Sequence, residues 1–353
     1  MIDELAIGDF VFRQRKVEQG EALPRAYDAV IAGLSWETRG PTALSRLKTV
    51  GPELTLFKFA SRSQEIEDAK ASQLKTFLTL QPNLTIKDLE ASTEAEKNFR
   101  ALKAWLQDLY AKAGRPLSIL LDITCVPKTY VLYLIGLGFS DELVARLDCL
   151  YTPGRYDLVS GGAATPPALT GPRSLLSEGE WHSRQIPYLE ASEYIANDAD
   201  LLVTLGGELG LSVPFIERFE PRRLGLICIE ETSPSGNVPM LPSERMAYDE
   251  LLREPNAVQE DIKLCDAVGV ARHATSFIEN SAARGATMMA IGSKPHAIGI
   301  ALAALSDPRV EVVCRTPASY RAIDVHPSAE PMFYEIEDRF DPASYIASRQ
   351  RVS

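Results

Sequence analysis

The chain has 353 residues, 45% hydrophobic and 24% charged, enough for two domains that each bury a core. Its formal net charge of −11 excludes a protein that coats long DNA or RNA on its own, because that task needs a broad basic surface to release counterions. A small anionic ligand stays open, since a few N–H groups and cations suffice for it.

Five scattered cysteines (Cys125, Cys149, Cys228, Cys265, Cys314) form no CxxC pair and read as reduced thiols of a cytoplasmic chain. The histidines His182, His273, His296 and His326 share no metal-ligand spacing, so neither a metal nor a cofactor is expected. MIDELAIGDF does not look like a signal peptide. The most apolar stretch, Tyr130 to Phe139, is too short for a bilayer, so no membrane partner is expected.

Val30 to Leu34 is an apolar run followed by a polar loop, Ser35 to Pro41, and by helical spacing from Thr42 to Leu47. Leu54 to Phe59 predicts a second strand. Ala95 to Ala113 is an amphipathic helix, with Phe99, Leu102, Trp105, Leu106 and Leu109 on one face, stopped at Gly114. Ser118 to Ile123 reads as a strand buried on both faces. The loop 124–128 follows, then a helix from Tyr130 and a strand from Leu147 to Tyr151.

The Gly- and Pro-rich stretch from Gly161 onward reads as a linker. Beyond it the element order recurs. Asp200 to Leu205 is a strand, Gly206-Gly207-Glu208 opens a helix through Phe219, and Leu224 to Ile229 is a strand. Ser276 to Ala283 ends a helix, Thr287 to Ile291 is a strand, 292–296 a turn, Ala297 to Leu305 a helix, and Val310 to Cys314 a strand. The acidic residues Asp249, Glu250, Glu254, Glu260 and Asp261 read as a solvated helix face.

The expected fold is therefore α/β: two tandem Rossmann-like lobes with mostly parallel sheets flanked by helices, related by a pseudo-two-fold axis. The lobes span 1–160 and 186–325, with a linker at 161–185 and a C-terminal tail at 326–353. An internal repeat supports this. T-P-x-x-Y occurs at Thr152 to Tyr156 and at Thr316 to Tyr320, with the prolines 164 residues apart. Lys128 and Lys294, each before a helix, lie 166 apart; Pro52 and Pro221 lie 169 apart, and Gly33 and Gly206 lie 173 apart. Two such lobes can turn their strand-end loops to one cleft.

The candidate walls are Ser35, Trp36, Glu37 and Arg39 with Thr124 and Lys128 from the first lobe. Gly206, Gly207 and Glu208 with Ser293, Lys294 and His296 come from the second. Helix N-termini beside lysines suit a phosphate. Trp36 and Glu37 could stack on and hydrogen-bond a base while Arg39 reaches phosphate. The plainer readings stand beside these. Thr124 and Ser293 are helix N-caps, Glu37 and Arg39 a surface ion pair, the glycine pair a tight turn, and His296 a structural histidine rather than an acid/base. Cys125 at a helix start has no evident partner histidine. GxxxxGK[ST] and GxGxxG are both absent.

The loop Asp122-Ile123-Thr124 … Lys128 after an apolar strand resembles the second signature loop of CARF domains, and Gly292-Ser293-Lys294 resembles its G-T-K part. Cys125-Val126-Pro127 stands where that pattern favours glycines, and the second lobe lacks the Asp and Thr. The resemblance, to CARF domains and to the SAVED domains that join two such units, implies an antiphage-defence sensor. Its ligand would be a nucleotide-type second messenger, such as a cyclic oligonucleotide, bound between the lobes, and a separate effector protein would be its partner. Two alternatives stay open: an enzyme that cleaves such a ligand in the cleft, and a non-catalytic interaction subunit of a defence complex.

Overall fold

The computed structural model describes residues 3–51, 53–156, 177–192, 199–205, 218–230, 249–253, 255–320 and 322–339, with residues 216 and 246. The chain divides into two compact units: Met1–Asp157 with Ala322–Ser353, and Leu158–Arg321.

In chain order the first unit begins with an antiparallel hairpin, β1 (Asp3–Ile7) and β2 (Phe10–Lys16). Then come β3 (Ala29–Leu34), α1 (Thr42–Arg46), β4 (Leu54–Phe59), α2 (Gln64–Leu80), β5 (Leu84–Leu89), α3 (Ala95–Ala113), β6 (Leu117–Asp122), α4 (Lys128–Ser140), β7 (Val144–Tyr151) and β8 (Gly154–Tyr156). The second unit holds β9 (Ser177–Gln185), β10 (Asp200–Thr204), β11 (Leu224–Ile229), β12 (Ala257–Ile262), α5 (Ala267–Glu279), β13 (Ala286–Ala290), α6 (Lys294–Ser306) and β14 (Val310–Tyr320). The chain then returns to the first unit through β15 (Val325–Pro327) and β16 (Met332–Asp338).

The local chemistry accounts for these elements. In α3, Phe99, Leu102 and Leu106 are buried on one face, and Gly114 ends the helix in the left-handed conformation, with φ 67°. The Ser63 hydroxyl caps α2 by accepting the Ile66 N–H. α4 and α6 are apolar almost all round, and correspondingly nearly every residue of both is buried.

Both units are α/β. The first sheet runs β1-β2-β16-β7-β6-β3-β4-β5, and the second runs β12-β11-β10-β13-β14-β9. Within them β5-β4-β3-β6-β7 and β12-β11-β10-β13-β14 are parallel throughout. Counted along the chain, each parallel set reads 3-2-1-4-5, a Rossmann-like order that reverses between its first and fourth strands. This is the order an internal repeat requires. The helix after the fourth strand is 13 residues long in both units, opens on lysine, closes on serine and is followed by aspartate.

The sheets also correct the expected boundaries. Residues 177–185, read as linker, form β9, antiparallel to β14. Residues 325–327 and 332–338, read as the last residue of the second lobe and as tail, form β15 and β16, and β16 lies between β7 and β2 inside the first sheet. Both strands escape an apolar-run criterion. β9 (SEGEWHSRQ) is polar and lies at a sheet edge, and β16 (MFYEIED) buries Phe333, Tyr334 and Ile336 while its carboxylates meet arginines. Glu260 and Asp261 sit on the edge strand β12, not on a helix face, because AVQEDI takes strand spacing beside β11. Three other elements lack the apolar runs on which the reading relied: α2, β5 and the β1–β2 hairpin. Among the described residues no helix is long and apolar enough to cross a membrane.

An interior strand and a tail differ in what a core truncation costs. Ile336 is fully buried, opposite Phe12 and Leu147. Ile336→Ala should lower the unfolding free energy by about 2–4 kcal/mol in urea titration. A change within about 0.5 kcal/mol, as at a surface site, would contradict the placement.

Candidate functional site

Ligands of open α/β sheets sit beyond the carboxyl ends of the strands, where the strand order reverses. In the first unit that position lies between β3 and β6. The loop after β6 closes directly on the end of β3: a Cβ on Gly33 would stand 2.6 Å from the Cys125 carbonyl carbon, so only glycine fits there. A Cβ on Gly40 would stand 3.4 Å from the Cys125 sulfur. Loops 35–41 and 123–127 are therefore packed together, as their shared candidacy requires.

Thr124 is fully buried. Its N–H donates to Asp122 Oδ1 at 2.9 Å, and its hydroxyl accepts the Thr152 N–H at 2.9 Å. It thus ties the ends of β6 and β7 together rather than capping α4, whose N-cap residue is Pro127. Lys128, half-buried, is the first residue of α4, earlier than the periodicity places the helix start.

Ser35 is buried, and Trp36, half-buried, donates from Nε1 to the Ile323 carbonyl at 3.0 Å. Arg39 is only 7% exposed. Its Nε donates to Glu37 Oε2 at 2.6 Å, its Nη1 to the Thr152 carbonyl at 3.1 Å, and its guanidinium lies 5.8 Å from the Tyr151 ring centre. Burial disfavours the charge on Arg39, but Glu37, with Tyr151 and Cys125, outweighs it and raises the guanidinium's hold on its proton. The Glu37–Arg39 pair is thus a buried ion pair rather than a surface one, and it fixes the loop.

Three residues of this site carry no signal in the sequence. Thr38 donates its N–H to Asp324 Oδ1 at 2.8 Å, and its hydroxyl lies 2.9 Å from His326 Nδ1. The Arg39 N–H donates to the Val325 carbonyl at 3.2 Å. Asp324 and His326 reach the loop only because the chain returns to this unit some 285 residues later, which local spacing cannot announce.

In the second unit the equivalent loop is held differently. The Gly292 N–H donates to the Thr204 carbonyl at 2.7 Å, at the end of β10. Ser293 caps α6 by accepting the His296 N–H at 3.1 Å, and its own hydroxyl donates to the Leu264 carbonyl at 2.7 Å. His296 is fully buried, with Nε2 2.9 Å from the Lys263 carbonyl. The histidine thus joins the loop after β12 to α6, the structural role. Lys294, half-buried, begins α6. Gly206, Gly207 and Glu208 lie outside the described residues.

A second polar cluster lies within the first sheet. One cross-strand row carries Glu4, Arg13, Glu335 and Asp148 in register. Asp148 is fully buried and accepts from the Tyr27 hydroxyl at 2.5 Å; Arg25 reaches it at 3.4 Å and reaches Glu335 at 2.8 Å. Asp148 Oδ1 has no partner among the described residues. Burial pushes the Asp148 carboxyl up to about 7, against the pull of Tyr27 and Arg25. A cavity of about 280 Å³ lies beside Arg25 and Tyr27, lined also by Leu23, Val30 and Thr49. The sequence reading missed this cluster; an aspartate inside an apolar strand, LDCLY, is the signal that could have marked it.

No protein-family model matches this chain, and no curated protein matches it.

The Asp148 carboxyl generates a pH prediction. Its affinity for a proton is higher in the folded than in the unfolded chain. Its contribution to stability is therefore fully present below about pH 4 and is lost as pH rises through about 7. Asp148→Asn, which keeps an acceptor for Tyr27, should remove that dependence. Relative to wild type, it should gain on the order of 2–4 kcal/mol between pH 4 and pH 8 in urea unfolding. Parallel stability curves for the two proteins would refute the assignment.

Proposed function

We propose that the chain binds a small anionic nucleotide, of the cyclic-oligonucleotide class, at its strand-end loops, and that a separate effector protein reads the bound state in antiphage defence. One observation carries this reading. Two units with the same strand order each start the helix after their fourth strand on a half-buried lysine, Lys128 and Lys294. A helix start offers outward N–H groups and partial positive charge, and a lysine there adds a full charge, a combination suited to phosphate. Both helices are buried along nearly their whole length, so the dipole of each is little screened by water except near its ends.

The resemblance of 122–128 and 292–294 to CARF loops supports the same ligand class. The half-buried indole of Trp36 supplies a face for a base. Arg39, bound to Glu37 and Thr152, holds the loop shape and is not the phosphate contact.

Isothermal titration of the whole chain against cyclic di-, tri- and tetranucleotides tests the proposal. One of them should bind at micromolar Kd or tighter, and Lys128→Ala and Lys294→Ala should each weaken it at least about tenfold, or about 1.4 kcal/mol. Chromatography of the ligand after titration should return it intact. Absence of binding by every cyclic nucleotide, or unchanged affinity in the double lysine variant, would overturn the reading.

A further inference from the structure

The segment that leads into β3 borders a cavity at the amino-terminal end of that strand, the opposite end from loop 35–41. Its volume of about 280 Å³ is close to the smallest small-molecule sites, which begin at about 300 Å³. Ala22, Leu23, Ala26 and Val30 give it a mostly apolar lining. Among the described residues that line it, Arg25 alone carries a formal charge.

Arg25 is only partly committed to the protein. Its Nη2 donates to Glu335 Oε1 at 2.8 Å, and its Nε stands 3.4 Å from Asp148 Oδ2. Nε and Nη1 are buried and make no hydrogen bond among the described residues. A guanidinium with idle donors beside an apolar cavity suits a carboxylate with a small apolar body. The fork of N–H groups takes the head, and the lining takes the body. Because both idle atoms are buried, the head meets them once the guanidinium turns toward the cavity.

Asp148 restrains that turn. It is fully buried, and it binds two residues of the cavity wall, Tyr27 at 2.5 Å and Arg25 at 3.4 Å. Its cross-strand neighbours are Leu120 on β6 and Glu335 on β16. The charges of Glu335 and Glu337 on β16 favour its protonated form, and Arg25 and Tyr27 oppose them. Arg13 on β2 faces Glu335 in the same row. Cys149, the next residue on β7, stays a neutral thiol because burial raises its pKa. Tyr27 occupies Asp148 Oδ2, and Oδ1 has no partner among the described residues, so Oδ1 is the atom open to a proton. An anion at Arg25 would bring a third negative charge to a place that already holds two carboxylates and one guanidinium. Protonation of Asp148 removes that excess and frees Arg25 to turn.

We propose that this cavity binds a small organic carboxylate with an apolar body through Arg25, and that Asp148 takes up a proton from solvent as the ligand enters. The site is separate from the strand-end loops and stands whether or not they bind a nucleotide. Affinity should fall as pH rises above about 7, where loading the proton onto Asp148 costs more.

The test titrates the full chain calorimetrically with isovalerate and benzoate at pH 7, in two buffers of different ionisation enthalpy. At least one acid should bind at millimolar Kd or tighter. It should take up roughly half a proton, since Asp148 is about half protonated beforehand. Isovaleramide and benzamide keep the shape and lose the charge, and should bind at least about tenfold more weakly. Arg25→Gln should weaken the acid to the same degree, whereas Asp148→Asn should keep binding and take up no proton. The acid–amide comparison and the proton count on the wild-type chain need no variant, so they decide the matter even if a substitution disturbs folding. No binding by either acid, equal binding of acid and amide, or an unchanged proton count in Asp148→Asn would overturn the proposal.

Discussion

A guanidinium shut away from water has to be answered by a carboxylate and by carbonyl oxygens, and meeting that demand at Arg39 organises the carboxyl-terminal edge of the first unit. Glu37 supplies the charge from two residues away, Thr152 supplies a carbonyl from beyond β7, and the backbone of Arg39 binds Val325 from the returning segment. Three stretches of chain distant in sequence thereby share one buried ion. Loss of the carboxylate alone would leave a charge stranded in a low dielectric, a defect of several kcal/mol. For that reason Glu37 and Arg39 are better regarded as one unit of structure than as two candidate ligand contacts.

Among the described residues of the second unit, no such ion pair appears at the strand ends. Its loop after β13 is seated by backbone hydrogen bonds to Thr204 and by the Ser293 cap, and the fully buried His296 stitches α6 to the loop after β12. The described strand-end loops of the two units are held differently, while a lysine begins the following helix in each.

The parallel strands were legible because burial on both faces demands continuous apolar runs: AVIAGL, LSILLD and LGLICI cannot be placed elsewhere at tolerable cost. α3 was legible to the residue, since its apolar stripe and Gly114 mark its face and its end. The antiparallel strands were not. β16 interleaves buried apolar residues with ion-paired carboxylates, and β9 is polar almost throughout, so a criterion built on apolar runs reads both as connecting chain. At the site, residue identity gave Arg39, Lys128 and Lys294, but not their exposure. A cation written next to a glutamate looks the same whether the pair faces water or is buried under Tyr151 and Gly154.

The two misread strands turn out to obey one rule. Each time the chain enters a unit, it lays an antiparallel strand against that unit's fifth parallel strand: β9 against β14 on the way out, β16 against β7 on the way back. A parallel edge strand leaves a row of unpaired N–H and C=O groups, and covering that row by the incoming chain solves the same problem twice. In the second unit β9 then forms the new edge, whereas in the first the β1–β2 hairpin extends the sheet past β16 and makes it interior. The fifth strand of each unit is thus completed by chain that has just crossed from the other. The second sheet is complete within one uninterrupted stretch, 177–320, but the first needs β16 from beyond it, so folding of the first unit has to wait for its last strand.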